Sequence, residues 1–167
     1  MNPIQSFPPI SNKVSRVLIL GSIPGNESLL KNEYYAHPRN SFWRIMGALL
    51  ETPEEASYLK RTNALLNGKF ALWDVLKGCT RESSLDSDIV ESSITCNDFR
   101  EFYVSHPNIS KVFFNGAKAE AVYMKYVHPD LPAPSRGIQR IRLPSTSPAN
   151  ARKTLEEKID AWKAIVS

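Results

Sequence analysis

Four short apolar runs, spaced along the chain and separated by stretches of helical spacing, constrain the fold more than any other feature. They are Arg16-Val-Leu-Ile-Leu-Gly21, the segment 69–74 within Lys69-Phe-Ala-Leu-Trp-Asp-Val75, Lys111-Val-Phe-Phe-Asn115 and Ile138-Gln-Arg-Ile-Arg-Leu143. Each is the length of a strand, rich in branched or aromatic residues, and bounded by turn formers. Between them, Ser41 to Leu50 repeats Phe42, Ile45, Met46 and Leu49 at helical spacing. Thr52 and Pro53 suit the N-cap and first turn of a second helix running to about Leu66. Further helices are expected over Asn97 to Val104, after Gly116, and from Pro148 or Asn150 to near Val166. Strands alternating with helices predict an α/β fold: a three-layer α/β/α sandwich with a four-stranded parallel sheet. The 167 residues suit one domain spanning 1–167, with Pro- and Ser-rich residues 1–15 as an N-terminal arm.

Right-handed crossovers place the C-terminal ends of all parallel strands on one edge of the sheet, where ligands bind. The residues following each strand are therefore the candidates for function. After the first strand, Gly21-Ser-Ile-Pro-Gly25 forms a tight turn that lets backbone N–H groups approach a ligand. It lacks the spacing of a dinucleotide or P-loop motif. Next comes Tyr34-Tyr-Ala-His-Pro-Arg-Asn-Ser-Phe-Trp43, a density of polar and aromatic groups that a core does not require. Aromatic faces stack on an extruded base and amides read its edge. His37, before Pro38, fits a loop hydrogen-bonder better than a catalyst, and Asn40 also suits a helix N-cap.

After the second strand, Asp74 emerges from apolar sequence onto the ligand edge, where a carboxylate needs a partner. Asn115, after the third strand, suits a turn or cap. After the fourth strand, Leu143-Pro-Ser-Thr-Ser-Pro-Ala-Asn150 is a rigid loop whose hydroxyls can bond phosphate oxygens. Arg152 and Lys153 follow. At a helix start they would oppose the helix dipole, which points to another role for them.

Charge points the same way. Residues 131–155 carry five basic residues and no acid, against 16 basic and 17 acidic residues elsewhere. A basic segment in a balanced chain suits contact with phosphate. Arg140 and Arg142 share one face of their strand and are expected to be free to pair with helix acids instead. Two cysteines, Cys79 and Cys96, and three scattered histidines provide no metal-ligand pattern, so neither a metal nor a cofactor is expected. No apolar run reaches the roughly 18 residues of a membrane span. The N-terminus does not read as a signal peptide. A soluble cytoplasmic monomer is expected, nucleoid-associated if the source is prokaryotic.

The Gly21–Gly25 turn followed by Tyr34–Trp43 resembles the first motif of the mismatch-specific branch of the uracil-DNA glycosylase superfamily. The loop Leu143–Asn150 stands where that superfamily has a His-Pro-Ser-Pro-type loop, and the strand ending in Trp73-Asp74 corresponds to its base-reading strand. The Gly-Ser-x-Pro-Gly and Tyr-Tyr-x-His-Pro-x-Asn forms are most similar to the hypoxanthine-DNA glycosylase branch. Two positions depart from the uracil-removing pattern: Ile23 replaces an Asn in the turn, and Leu143 stands where a His is found.

The resemblance implies a monofunctional glycosylase that hydrolyses the N-glycosidic bond of a deaminated base, hypoxanthine foremost, in double-stranded DNA. It implies catalytic roles for Asn40 and Asp74. It implies a base pocket of Gly21, Ser22, Ile23, Tyr35, Phe42, Asp74 and Asn115, with Phe42 the first choice of stacking ring and Tyr35 the second. DNA contacts are expected from Ser145, Thr146, Ser147, Asn150, Arg152 and Lys153. An amide has no basic lone pair, so Asn40 is expected to orient water or bond the leaving base. Two other readings stay open: a uracil or mismatch-specific enzyme, and a catalytically silent DNA-binding or nucleotide-binding module on the same fold.

Overall fold

A computed structural model describes residues 2–167. Its strands are β1 (Asn2–Gln5), β2 (Val17–Gly21), β3 (Phe70–Asp74), β4 (Leu76–Arg81), β5 (Thr95–Cys96), β6 (Lys111–Asn115) and β7 (Gln139–Leu143). Its α-helices are α1 (Asn26–Lys31), α2 (Phe42–Leu50), α3 (Tyr58–Asn67), α4 (Phe99–Ser105), α5 (Ala117–Val122), α6 (Ala133–Arg136) and α7 (Leu155–Trp162). The four expected strands form one parallel sheet in the order β3-β2-β6-β7.

Burial on both faces explains the near-continuous apolar runs. Successive residues of β2 point to opposite sides. Leu18 and Leu20 join Trp73, Phe114, Phe99, Phe102 and Tyr123 in one core, under α4 and α5. Ile19 joins Leu72, Phe113, Phe42, Ile45, Leu65 and Trp162 in the other, under α2, α3 and α7. The three-layer expectation therefore holds.

A second sheet was not expected. The antiparallel strands β1, β4 and β5 pair in the order β1-β4-β5. The N-terminal arm is thus built into the fold. Ile4 lies opposite Cys79 in the ladder, and Ile10 exchanges backbone hydrogen bonds of 2.9 and 2.8 Å with Leu72. Pairing between segments so far apart leaves no local periodicity to read.

Three helix boundaries also differ from expectation. Glu51 takes a left-handed conformation (φ 56°) and Thr52 N–H bonds Gly47 O, so α2 ends there. Pro53 follows that C-terminus, and Ser57 caps α3 by accepting from Lys60 N–H. The helix near Asn97 starts at Phe99, capped by Asp98. The last helix starts later than expected, at Leu155, under a reciprocal Thr154–Glu157 capping box. Arg152 and Lys153 therefore lie in the exposed bend before the helix, and the helix-dipole argument does not apply to them.

Candidate active site

Gly21 ends β2 directly beside Asp74, which ends β3. A Cβ on Gly21 would sit 2.6 Å from Asp74 Oδ1 and 2.6 Å from the Tyr35 hydroxyl oxygen. Only a glycine lets these two groups converge. The chain then passes from β3 into β4 while bonding the turn, through Val75 N–H to Gly21 O (2.8 Å) and Leu76 N–H to Ser22 O (3.0 Å). Arg81 of β4 is buried and donates to Pro24 O at 2.7 Å, holding the same turn.

These segments form one wall of a cleft of about 700 Å³. It is lined by the turn Gly21–Ser28, by Tyr34, Tyr35, His37, Arg39 and Asn40, by Asp74, by Ser84–Ser87, by Asn115, Ala117 and Lys118, and by Ser145–Asn150. The four strand ends converge there as parallel topology requires. Of the expected site residues, the cleft collects Gly21, Ser22, Ile23, Tyr35, Asn40, Asp74, Asn115, Ser145, Thr146, Ser147 and Asn150, and leaves out Phe42, Arg152 and Lys153.

Asp74 is 3% exposed and its Oδ2 has no hydrogen-bond partner. Burial, reinforced by the Asp86 carboxylate and opposed by Arg81, pushes its pKa up to about 7. A carboxyl group poised near neutrality can hold or release a proton under working conditions.

The aromatic order is the reverse of the one expected. Phe42 is fully buried, with no exposed surface. Tyr35 covers it, with ring centroids 4.2 Å apart and planes 24° apart, and Tyr35 lines the cleft. Tyr35 is therefore the ring available for stacking, and Phe42 backs it. Tyr35 holds a left-handed backbone (φ 54°), which costs an L-residue roughly 1–2 kcal/mol. Its hydroxyl is buried without a partner. Such local strain concentrates at functional sites. Burial and the nearby Asp74 carboxylate push the Tyr35 hydroxyl far above the ordinary tyrosine range, so it stays protonated.

Asn40 is both cap-like and at the site. Its Oδ1 accepts from Phe42 N–H at 2.9 Å, which fixes the orientation of the amide. The NH2 group is left as a donor in a residue that lines the cleft. His37 Nδ1 accepts from Arg39 N–H at 3.0 Å, the loop role its sequence context suggested.

Asn115 and Thr146 bond reciprocally, Thr146 N–H to Asn115 Oδ1 (2.9 Å) and Asn115 Nδ2 to Thr146 Oγ1 (3.0 Å). Thr146 O also accepts from Ser41 N–H and Ser41 Oγ. Thr146 is 1% exposed, so it works as an internal tie and offers no surface to a DNA phosphate. Asn115 spends half of its amide on the same tie, as its turn-type context suggested, which leaves one N–H and one lone pair. Ser145, Ser147 and Asn150 form a turn closed by its own bonds, Ser147 N–H to Ser145 Oγ and Asn150 Nδ2 to Ser145 O.

Ile23 is 8% exposed and belongs to the core as well as the cleft wall. Arg142 pairs with Glu120 at 3.6 Å, and Arg140 bonds the carbonyls of Arg136 and Ile138. Both are thus taken up by the protein. Arg81–Asp86 follows the second strand toward the ligand edge, but the sequence assigns Ser84–Ser87 no role, because nothing local in that polar stretch announces that it folds back onto the Gly21–Gly25 turn.

The sequence matches the Uracil DNA glycosylase superfamily over residues 8–166. It is 37% identical over 159 residues to the Hypoxanthine DNA glycosylase of Methanosarcina barkeri, covering 95% of this chain and 94% of that protein. It is 35% identical over 162 residues to the Hypoxanthine DNA glycosylase of Methanosarcina acetivorans, covering 96% of each. The fold superposes on the solution NMR structure of a Methanosarcina acetivorans protein described as a candidate uracil DNA glycosylase, with a TM-score of 0.79, 31% identity, and coverage of 99% of this chain and 100% of that one. The match runs over nearly the whole chain, on a parallel sheet whose strand ends meet in one cleft. The chain belongs to the uracil DNA glycosylase superfamily and is a DNA glycosylase, a hydrolase of N-glycosyl bonds.

Proposed function

We infer that the base released is hypoxanthine, flipped out of double-stranded DNA. The observation that carries this reading is the buried Asp74 carboxyl, with one oxygen unpartnered and its proton held to about pH 7. Hypoxanthine has a basic ring nitrogen, N7, that can take that proton; uracil offers only carbonyl oxygens. An acid at this position therefore assists a purine leaving group far more than a uracil. The two relatives named for hypoxanthine support the same choice.

In the proposed reaction the base stacks on Tyr35 and Asp74 donates its proton to N7. The C1′–N9 bond breaks with its electron pair going to N9, and hypoxanthine leaves as a neutral N7–H tautomer. The sugar left behind is oxocarbenium-like, as in other glycosyl transfers, and flanking DNA phosphates oppose its charge. Such an electrophile accepts a weak nucleophile, so no general base is needed. Asn40 NH2 donates to the attacking water and holds it in place. The water oxygen bonds C1′, and its lost proton returns through solvent to the Asp74 carboxylate. Ser145, Ser147 and Asn150 hold the flanking strand, and Arg152 and Lys153 contact phosphate.

The test is single-turnover release of free base from matched duplexes holding hypoxanthine, xanthine or uracil. Hypoxanthine should leave much the fastest, with xanthine a minor substrate. Equal or faster release of uracil would overturn the substrate assignment.

A further inference from the structure

We propose that the Asp86 carboxylate reads the base, accepting a hydrogen bond from N1–H of hypoxanthine and so separating it from adenine. The proposal rests on the reading of the chain as an enzyme that releases hypoxanthine. Asp86 lines the cleft, and its Oδ1 accepts from Ser22 Oγ at 2.6 Å. Its Oδ2 has no protein partner among the described residues, in a hydrogen bond or an ion pair. One oxygen is thus fixed and the other is free to accept.

The bond from Ser22 holds this carboxylate beside the pocket. Ser22 follows Gly21, and the space over Gly21 is where Asp74 Oδ1 and the Tyr35 hydroxyl converge. Asp74 and Asp86 therefore flank consecutive residues of one turn. The charge of Asp86 is felt at both Asp74 and Tyr35, where it favours the protonated forms. The loop that carries Asp86 is itself anchored. Ser84 Oγ accepts from Asn26 N–H at 2.9 Å, and Arg81 pairs with Ile89 at the foot of the loop.

A carboxylate in the cleft of a DNA-binding protein repels phosphate, so its presence there needs another reason. Closure of the loop does not supply one. Asp88 accepts from Ser83 Oγ within the same loop and does so outside the cleft. An ionised carboxylate only accepts hydrogen bonds, so what it can take from a base is an N–H.

Hypoxanthine presents N7, O6 and N1–H in that order along one edge. With Asp74 at N7, the next carboxylate along the turn meets N1–H. Adenine carries a lone pair at N1, which would set two acceptors against each other with no bond between them. A site built to bond an N–H rejects an analogue lacking it, because the polar group of the site is left unpaired. Guanine shares N1–H, so this contact separates hypoxanthine from adenine and not from guanine.

The experiment measures single-turnover release from duplexes holding hypoxanthine or 1-deazahypoxanthine, in which C–H replaces N1–H. The proteins are wild type, Asp86→Ala, Ser22→Ala and, as a control, Asp88→Ala. Asp86→Ala should shrink the hypoxanthine-to-1-deazahypoxanthine rate ratio by at least about tenfold. Ser22→Ala frees the carboxylate from its anchor and should shrink the ratio by less, and Asp88→Ala should leave it unchanged. Loss of the Asp86 charge also affects the Asp74 proton, but that effect acts on both substrates and cancels in the ratio. An unchanged ratio in Asp86→Ala, whatever the fall in the separate rates, overturns the proposal. The analogue 7-deazahypoxanthine keeps N1–H and lacks the N7 acceptor. Its rapid release by wild type would overturn the proton transfer from Asp74 and leave the ratio to decide the role of Asp86. Failure of wild type to release hypoxanthine at all would overturn the substrate reading and this proposal with it.

Discussion

The ring of Tyr35 lies on the ring of Phe42, and only Tyr35 faces the cleft. The two rings should therefore respond differently to truncation. Phe42→Ala opens a cavity in a fully buried site and should cost about 3–5 kcal/mol of stability. Tyr35→Ala should cost less stability and more turnover. Tyr35→Phe keeps the stacking face and removes a buried hydroxyl without a partner. It should keep turnover within a few-fold and raise stability by up to about 1–3 kcal/mol. Thermal melts beside single-turnover rates measure both.

Asn40 has two separable tasks, because its oxygen bonds Phe42 N–H and its NH2 is left to donate. Asn40→Asp keeps the acceptor and removes the donor. It should retain near wild-type stability and lose most base release. Asn40→Ala should lose both, with a stability cost of about 1 kcal/mol. Normal turnover in Asn40→Asp would leave the residue only its cap-like role.

Asp74 links pH to both stability and rate. Its folded-state pKa, about 7, stands above the ordinary carboxylate value of 3.8, so the folded state binds more protons between these limits. Its contribution is fully present below the unfolded pKa and is lost as pH rises through about 7. Base release that needs the protonated form should also decline above that pH. Asp74→Asn should remove both dependences. It should be the more stable protein at pH 8, by roughly 1–3 kcal/mol, and the slower enzyme, with DNA binding retained. Equilibrium unfolding and rate profiles over pH 5–9 test the linkage.

Gly21→Ala should disable the site from beneath. The added methyl meets Asp74 Oδ1 and the Tyr35 hydroxyl at 2.6 Å each. Overpacking of this kind costs about 1–3 kcal/mol, and displacement of both groups should lower base release at least tenfold. Wild-type release in Gly21→Ala would show that their placement is not critical.

Arg152 is exposed and forms no ion pair among the described residues. If it contacts one phosphate, Arg152→Ala should weaken binding of any duplex and reduce the slope of log affinity against log salt by about 0.9. An unchanged slope would remove it from the DNA-binding surface.

The four parallel strands were legible in the sequence because burial on both faces imposes apolar runs such as Val17–Leu20 and Phe70–Trp73. Parallel topology then placed Gly21, Asp74, Asn115 and Ser145 on one edge, so most of the cleft could be named from the residues that follow each strand. What the sequence could not settle depends on contacts between distant segments. The pairing of β1 with β4 and of Ile10 with Leu72 has no local signature, so by sequence alone the first residues show only the composition of an arm. Tyr35 and Phe42 are both aromatic residues of one motif, and periodicity does not say which covers the other. Asn115 suits a turn or cap by its sequence context, but only the fold shows that its partner is Thr146, 31 residues away, which takes up half of its amide. The acidity of Asp74 depends on its burial and on Asp86 and Arg81, which are brought near it only when β4 folds back beneath the turn. Local pattern determined the elements and the edge they share, and tertiary packing decided which groups on that edge remain free to act.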